Sequence, residues 1–288
     1  MSKLTSIIKS CVRLVLPAVL VVVVAGVAGA VLLVYDTSRP RNPQYLVTPA
    51  KYAQLSTRAA QVTEETWQNR DGSTARGWLL RGAENAPAVI LFHKYEANRS
   101  YVLNLGVKLN ESTNFTVLMP DQRAHGENPS IQSASFGGCE TEDATSAIEF
   151  LRGLKTPEQL AFVGRDLGVY GVEMGALVAM SEAAKDKSIK AIAVDSVPQN
   201  SDAVLKGAVE RRFPFASIVT TQLAEAGTRL YYFDGCYQRE PVCDTARGVD
   251  NRNVLLLGGI DAQDFQESTM KLSKCLPSNN KIEAKLDL

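Results

Sequence analysis

Four short stretches of this 288-residue chain carry side chains able to do chemistry. The first is His93-Lys94-Tyr95-Glu96, and the second is DQRAHGEN, Asp121 to Asn128. The third, VYGVEMGALVAM from Val169 to Met180, sets Glu173 between Gly171 and Gly175. The fourth is IDAQDF, with Asp261 and Asp264. A carboxylate at the foot of a helix is stabilised by the helix dipole and the free N–H groups there. Such a carboxylate can also act as a nucleophile, forming an ester that an activated water must then cleave. Histidine is the side chain suited to that activation near neutral pH, and the chain has two, His93 and His125. Lys94 and Arg123 are cations able to pair with Glu173 and close the cleft around it.

These stretches must be positioned by what surrounds them. QVTEETWQN and STARGWLL are β-rich segments split by Asp71-Gly72, a strong hairpin signal. APAVILFH is a continuous apolar run of the kind that parallel sheets bury on both faces. A helical segment from Tyr101 to Glu111 follows, then the strand FTVLMPD and the helix CETEDATSAIEFLRGL, with acids in its first turn. The alternation continues through LGVYGV, EMGALVAMSEAAK and KAIAVDS as strand, helix and strand. Residues 199–250 read as helical and irregular, and NVLLLGG, QESTMKLSKCL and KIEAKLDL as strand, helix and strand. A hairpin followed by repeated βα units predicts an α/β domain with a mostly parallel sheet flanked by helices. All four reactive stretches then fall at the carboxyl edge of that sheet, where function gathers.

The order and spacing of the four stretches resemble the α/β-hydrolase family, in particular its serine esterase and peptidase-like members, from about Gln61 onward. Those carry a His-Gly oxyanion loop, an Asp-x-Arg-Gly-His-Gly loop, a Gly-x-Ser-x-Gly elbow, and later an Asp and a His. The resemblance puts Glu173 at the nucleophile position and Asp261 at the acid position, with Asp264 second. It gives the oxyanion-binding N–H groups to Tyr95 and Met174. Lys94 and Ala124 stand where the family has glycines, and Glu96 where it has a small residue. The family's catalytic His belongs after the last strand, and no histidine follows His125 here. Serine acyl transfer needs an activated oxygen and a base, so the resemblance implies a weak or unconventional hydrolase of an ester or amide. Relatives such as epoxide hydrolases place an Asp in the elbow as the nucleophile. The alternative is a catalytically inactive pseudoenzyme that binds a small molecule or a protein partner in the old cleft, with Glu173 in a structural ion pair.

Composition narrows the rest. With 31 basic and 31 acidic residues the net charge is zero, which argues against nucleic acid as a partner. Two histidines and the cysteine spacing do not suit a metal site, and no cofactor is expected. Residues 14–34, LVLPAVLVVVVAGVAGAVLLV, carry no charge and are long enough to cross a hydrocarbon core of about 30 Å. Lys3, Lys9 and Arg13 precede them, which orients residues 1–13 to the cytoplasm and exports the remainder. The rival reading is a signal peptide cleaved near Ala28-Gly29-Ala30, but more apolar residues follow that point, so a single-pass signal anchor is the expectation. Residues 35–60, with Pro40, Pro43 and Pro49, read as a semi-rigid linker holding a domain of residues 61–288 off the membrane. Outside the membrane lie Cys139, Cys236, Cys243 and Cys275, enough for two disulfides. The short CYQREPVC loop makes Cys236–Cys243 the expected pair.

Overall fold

Gly72 adopts φ +80°, its N–H donates to the Asn69 carbonyl, and the Asn69 N–H donates to the Ser73 carbonyl. The turn folds β1 (Val62–Gln68) back along β2 (Thr74–Leu80) as an antiparallel hairpin. The computed structural model describes residues 2–41, 44–45, 47–51, 61–127, 129–215, 218–233, 235, 237–259 and 263–286. Asp261 and Cys236 lie outside the described residues, as does the side chain of Asp264.

The hairpin opens an eight-stranded sheet of order β1-β2-β4-β3-β5-β6-β7-β8. The remaining strands are β3 (Ala88–Phe92), β4 (Thr116–Pro120), β5 (Leu167–Val172), β6 (Ile189–Asp195), β7 (Asn253–Leu257) and β8 (Lys281–Lys285). β2 pairs antiparallel with both neighbours, and every later pairing is parallel. The helices are α1 (Ser2–Thr37), α2 (Leu103–Thr113), α3 (Cys139–Gly153), α4 (Met174–Lys185), α5 (Ser201–Arg212), α6 (Ile218–Tyr231), α7 (Val242–Ala246) and α8 (Gln263–Cys275). The predicted βα alternation is therefore realised element by element.

Strand alternation sends Leu79 to one face of the sheet and Trp78 and Leu80 to the other, so two apolar clusters form. The smaller packs α2 against Trp78, Leu91, Val117 and Met119. The larger centres on α4, whose residues Met174 to Ala183 are all buried. Gly175, Ala176, Ala179 and Ala183 keep that helix slim enough to lie close to the sheet.

Val15–Thr37 in α1 is the one stretch, among the described residues, long and apolar enough to cross a membrane, with a mean hydropathy of 2.8. The segment after it is docked over its described part. Thr37, Ser38 and Pro40 are buried, and Tyr45 packs edge-on against Trp78 at 5.1 Å.

The expected Cys236–Cys243 pair is corrected. Cys243 is bonded to Cys275, with Cα atoms 5.3 Å apart across 32 residues of sequence. The cause is tertiary. α7 presents Cys243 to the end of α8, whereas sequence proximity alone had favoured Cys236. Cys139 is also disulfide-bonded. In the chain-entropy account a loop of this length contributes about 3–4 kcal/mol. Non-reducing peptide mapping should recover a Cys243–Cys275 peptide. Cys243→Ser with Cys275→Ser should lower the unfolding free energy by about that amount. An unchanged denaturation midpoint would argue that the bond is absent or unstrained by chain entropy.

Candidate active site

The elbow is built by two glycines. A Cβ on Gly171 would run into the carbonyl of Gly175, and one on Gly175 would lie 2.5 Å from the Phe92 oxygen. Their bare backbones let the first turn of α4 rest on the end of β3. The residue between them must reverse direction sharply, and Glu173 does so at φ 47°, ψ −113°. That conformation costs a non-glycine residue about 1–3 kcal/mol and persists only where the surroundings impose it. Here the Glu173 N–H donates to the Asp195 carbonyl at 3.0 Å, and its own carbonyl accepts from Ala176 at 2.9 Å. The carboxylate is largely shielded and lies 3.8 Å from the Lys94 ammonium, which also sits over the Tyr101 ring. Glu173 opens onto a cleft of about 1290 Å³, walled by Asp202, Lys206 and Arg211 of α5, Glu225 of α6, and Phe265 and Lys271 of α8.

Both histidines are buried behind this elbow, and both are committed. The backbone N–H of Gln122 can only donate, so His93 Nε2 accepts from it at 3.1 Å and Nδ1–H donates to the Lys94 carbonyl at 2.8 Å. His125 repeats the arrangement, with Nε2 accepting from the Glu96 N–H at 3.1 Å and Nδ1–H donating to the Arg123 carbonyl at 2.8 Å. Their rings meet edge to face at 5.2 Å. Burial depresses both, and His125, pushed further by its neighbour His93, falls to about 3. Each is therefore neutral in a fixed tautomer, with no ring nitrogen spare for a substrate proton. What they do is hold the loop after β3, where Glu96 takes φ 57°, against the loop after β4.

Arg123 faces away from the elbow. Its guanidinium grips Asp143 with Nε at 2.7 Å and Nη2 at 2.5 Å, and reaches Asp71 at 3.0 Å. It pins the second reactive stretch to α3 and to the hairpin turn. Burial raises Asp143 to about 6 even against this cation. Ala124 adopts φ 64°, the left-handed backbone for which the resembling motif uses glycine. Tyr95 and Met174 are buried, and among the described residues their backbone N–H groups have no hydrogen-bond acceptor.

Several participants escape the sequence. Asp195 ends β6 directly beside Glu173. Arg99 is fully buried, with Asp121 at 3.4 Å and Glu64 at 3.2 Å and the Trp78 ring 4.6 Å away. Arg212, at the end of α5, is nearly buried and donates to Glu96 at 2.7 Å, to Asp36 at 2.9 Å and to the Arg39 carbonyl at 2.7 Å. The Tyr95 hydroxyl donates to the Thr37 carbonyl. The end of α1 is thus fastened to the loop that carries Tyr95 and Glu96. No local pattern marks these pairings, because their partners lie far apart in sequence.

No protein-family profile matches the chain. Over 123 residues it is 27% identical to the thiohydrolase aneE of Aspergillus aculeatus, covering 42% of this chain and 37% of that protein. A thiohydrolase of Eupenicillium brefeldianum is 26% identical over 122 residues, 42% and 38% of the two chains. The matched stretch thus spans well under half the length of these relatives. Among solved structures, the esterase Pf2001 of Pyrococcus furiosus superposes with a TM-score of 0.59 at 19% identity, covering 86% of this chain and 87% of its own. The hypothetical protein PA2218 of Pseudomonas aeruginosa gives 0.58 at 18%, covering 84% and 91%.

The neutral histidines set a pH dependence. A depressed folded value means that the contribution of His125 is fully present above its ordinary 6.5 and is lost as pH falls toward about 3. The slope is about 1.4 kcal/mol per pH unit for one proton. Urea denaturation of His125→Gln beside wild type, between about pH 6.5 and 4, should show the stability gap closing at about that slope. Parallel curves would mean that His125 takes up no proton on unfolding.

Proposed function

We propose that this chain, whose domain has the α/β-hydrolase fold, is a membrane-anchored member of that structural class with Glu173 in the nucleophile's place. Its cleft takes an ester, an amide or, by likeness to the thiohydrolases, a thio-linked acyl group. It turns that substrate over weakly and by an unconventional route. The observation that carries the reading is the elbow itself, a strained turn at φ 47° kept around a carboxylate that opens onto a wide cleft. The N–H groups of Tyr95 and Met174 supply the oxyanion contacts, worth about 2.7–4 kcal/mol per donor where such contacts have been removed in other hydrolases. Attack by the Glu173 carboxylate on the substrate carbonyl would break the acyl C–O, C–S or C–N bond and leave an acyl-glutamyl anhydride. The alcohol, thiol or amine departs with a proton from water. A second water reaching the cleft then opens the anhydride to the free acid and returns the Glu173 carboxylate. His93 and His125 order the oxyanion loop. Asp261 holds the acid position by resemblance, and Asp195, whose carbonyl accepts the Glu173 N–H, is the second acid to test. Loss of the serine nucleophile from such a site costs on the order of a million-fold, so slow turnover is expected.

A second reading has its own support. Lys94 beside Glu173 and two histidines with both ring nitrogens engaged favour a catalytically inactive pseudoenzyme that binds a small molecule in the same cleft. In both readings Val15–Thr37 of α1 crosses the membrane once, Lys3, Lys9 and Arg13 before that span face the cytoplasm, and the domain lies outside.

The two separate on one experiment. The full chain in detergent is assayed on short esters, thioesters, amides and epoxides beside Glu173→Ala and Glu173→Ser. The proposed hydrolase gives slow turnover that disappears in the Ala variant. Saturable ligand binding without turnover in wild type replaces it with the binding reading. Turnover that persists undiminished in Glu173→Ala removes the carboxylate from the chemistry.

A further inference from the structure

α6 is an unusual companion for a membrane helix. It runs alongside α1, with Leu223 by Gly29 and Gly227 against Ala30 and Val34. Any side chain at Gly227 would meet Val34 at 2.8 Å, so the two backbones approach as closely as helices do within bilayers. Leu223 and Leu230 on one side and Val27 and Val31 on the other line an apolar groove of about 600 Å³.

The other side of α6 faces the domain. Ala224 and Thr228 are buried, and Arg229 donates to Asp202 of α5 at 2.6 Å. Much of the remaining surface is apolar and exposed, with Gln222 an exposed polar side chain among it. Ile218 is 77% exposed and Leu230 76%, and Phe215 and Phe233, flanking the helix, are 101% and 84% exposed. The groove joins this surface to α1 through Val23, Val27 and Val31, and further apolar side chains of α1, among them Val22 and Leu32, are equally exposed. A contiguous apolar patch of this kind marks an interaction surface.

The register says what covers it. Leu223 lies by Gly29 and Gly227 by Val34, so the two helices advance in the same direction. Gly29 is roughly 12 Å along the axis from Thr37 at the helical rise. Ile218 precedes Leu223 and so lies deeper still toward the N-terminal end of α1. At the opposite end Tyr231 and Tyr35 both border the groove, and Arg39 stacks over the Tyr35 ring at 3.8 Å. Aromatic and arginine side chains at one level are the composition of a membrane interface.

We propose that α6 and its flanking phenylalanines insert into the leaflet nearest the domain, with phospholipid acyl chains covering Phe215, Ile218, Val219 and Leu230. The inference rests on the reading of α1 as a membrane span and extends it. The domain is seated in the lipid by a second element rather than tethered above it. Because Glu225 of α6 also walls the Glu173 cleft, that cleft sits at the membrane surface.

The test uses the full chain reconstituted in phosphatidylcholine vesicles. p-Benzoylphenylalanine replaces Phe215, Ile218 or Leu230 in turn, and Leu160, 66% exposed and apart from the patch, as the control. All four side chains are exposed, so the replacements leave the core intact. After irradiation, mass spectrometry should find several-fold more lipid adduct at the three patch positions than at Leu160. Adduct yields equal to the control, in a chain that resists carbonate extraction, overturn the insertion of α6 while leaving the anchor in place. Dimeric protein adducts at the patch overturn it in favour of a second copy of the chain. Release by carbonate overturns the anchor reading and the inference with it.

Discussion

The site depends on a steric constraint: no side chain fits at Gly171 or at Gly175. Because those two backbones touch, α4 begins on top of β3 and the intervening residue has no choice of conformation. The turn is indifferent to what that residue is. Glutamate is accommodated at the same φ that any nucleophile in this turn would need, and its carboxylate is delivered to the cleft by backbone geometry alone. This separates the scaffold's geometry from its chemistry.

Around the elbow, the polar groups that would ordinarily be reagents serve as fasteners. Two neutral histidines join the β3 and β4 loops through obligate amide donors, and Arg123 ties the second of those loops to α3 and the hairpin. Buried polar networks are costly unless every member is satisfied, and these ring nitrogens are. Rigidity in the loop that carries Tyr95 follows from that satisfaction.

Elements and elbow were legible in the sequence because they are encoded locally. Alternation in β1 and β2, the apolar runs of β3 to β7, and the Gly-x-Glu-x-Gly spacing each act within a few residues. Partner choice is not local. Arg123 finds acids 20 and 52 residues away, and Cys243 finds Cys275 rather than the nearer candidate. No local pattern marks Arg99, yet among the described residues it is one of the largest fully buried side chains. The stretch after α1 reads as a spacer because its prolines break periodicity, but periodicity says nothing of Tyr45, which needs only one ring of Trp78 to dock.

The fastening of the end of α1 to the β3 loop has a mechanical meaning. Tyr95 is held by the carbonyl of Thr37, and Glu96 shares Arg212 with Asp36 and Arg39. A transmembrane helix answers a thicker or thinner bilayer by changing its tilt. With α1 in a bilayer, a change of tilt would move the same residues that anchor the loop. Under the proposed anchoring, lipid thickness would become a physical input to that loop, and a domain severed after Arg41 would no longer receive it.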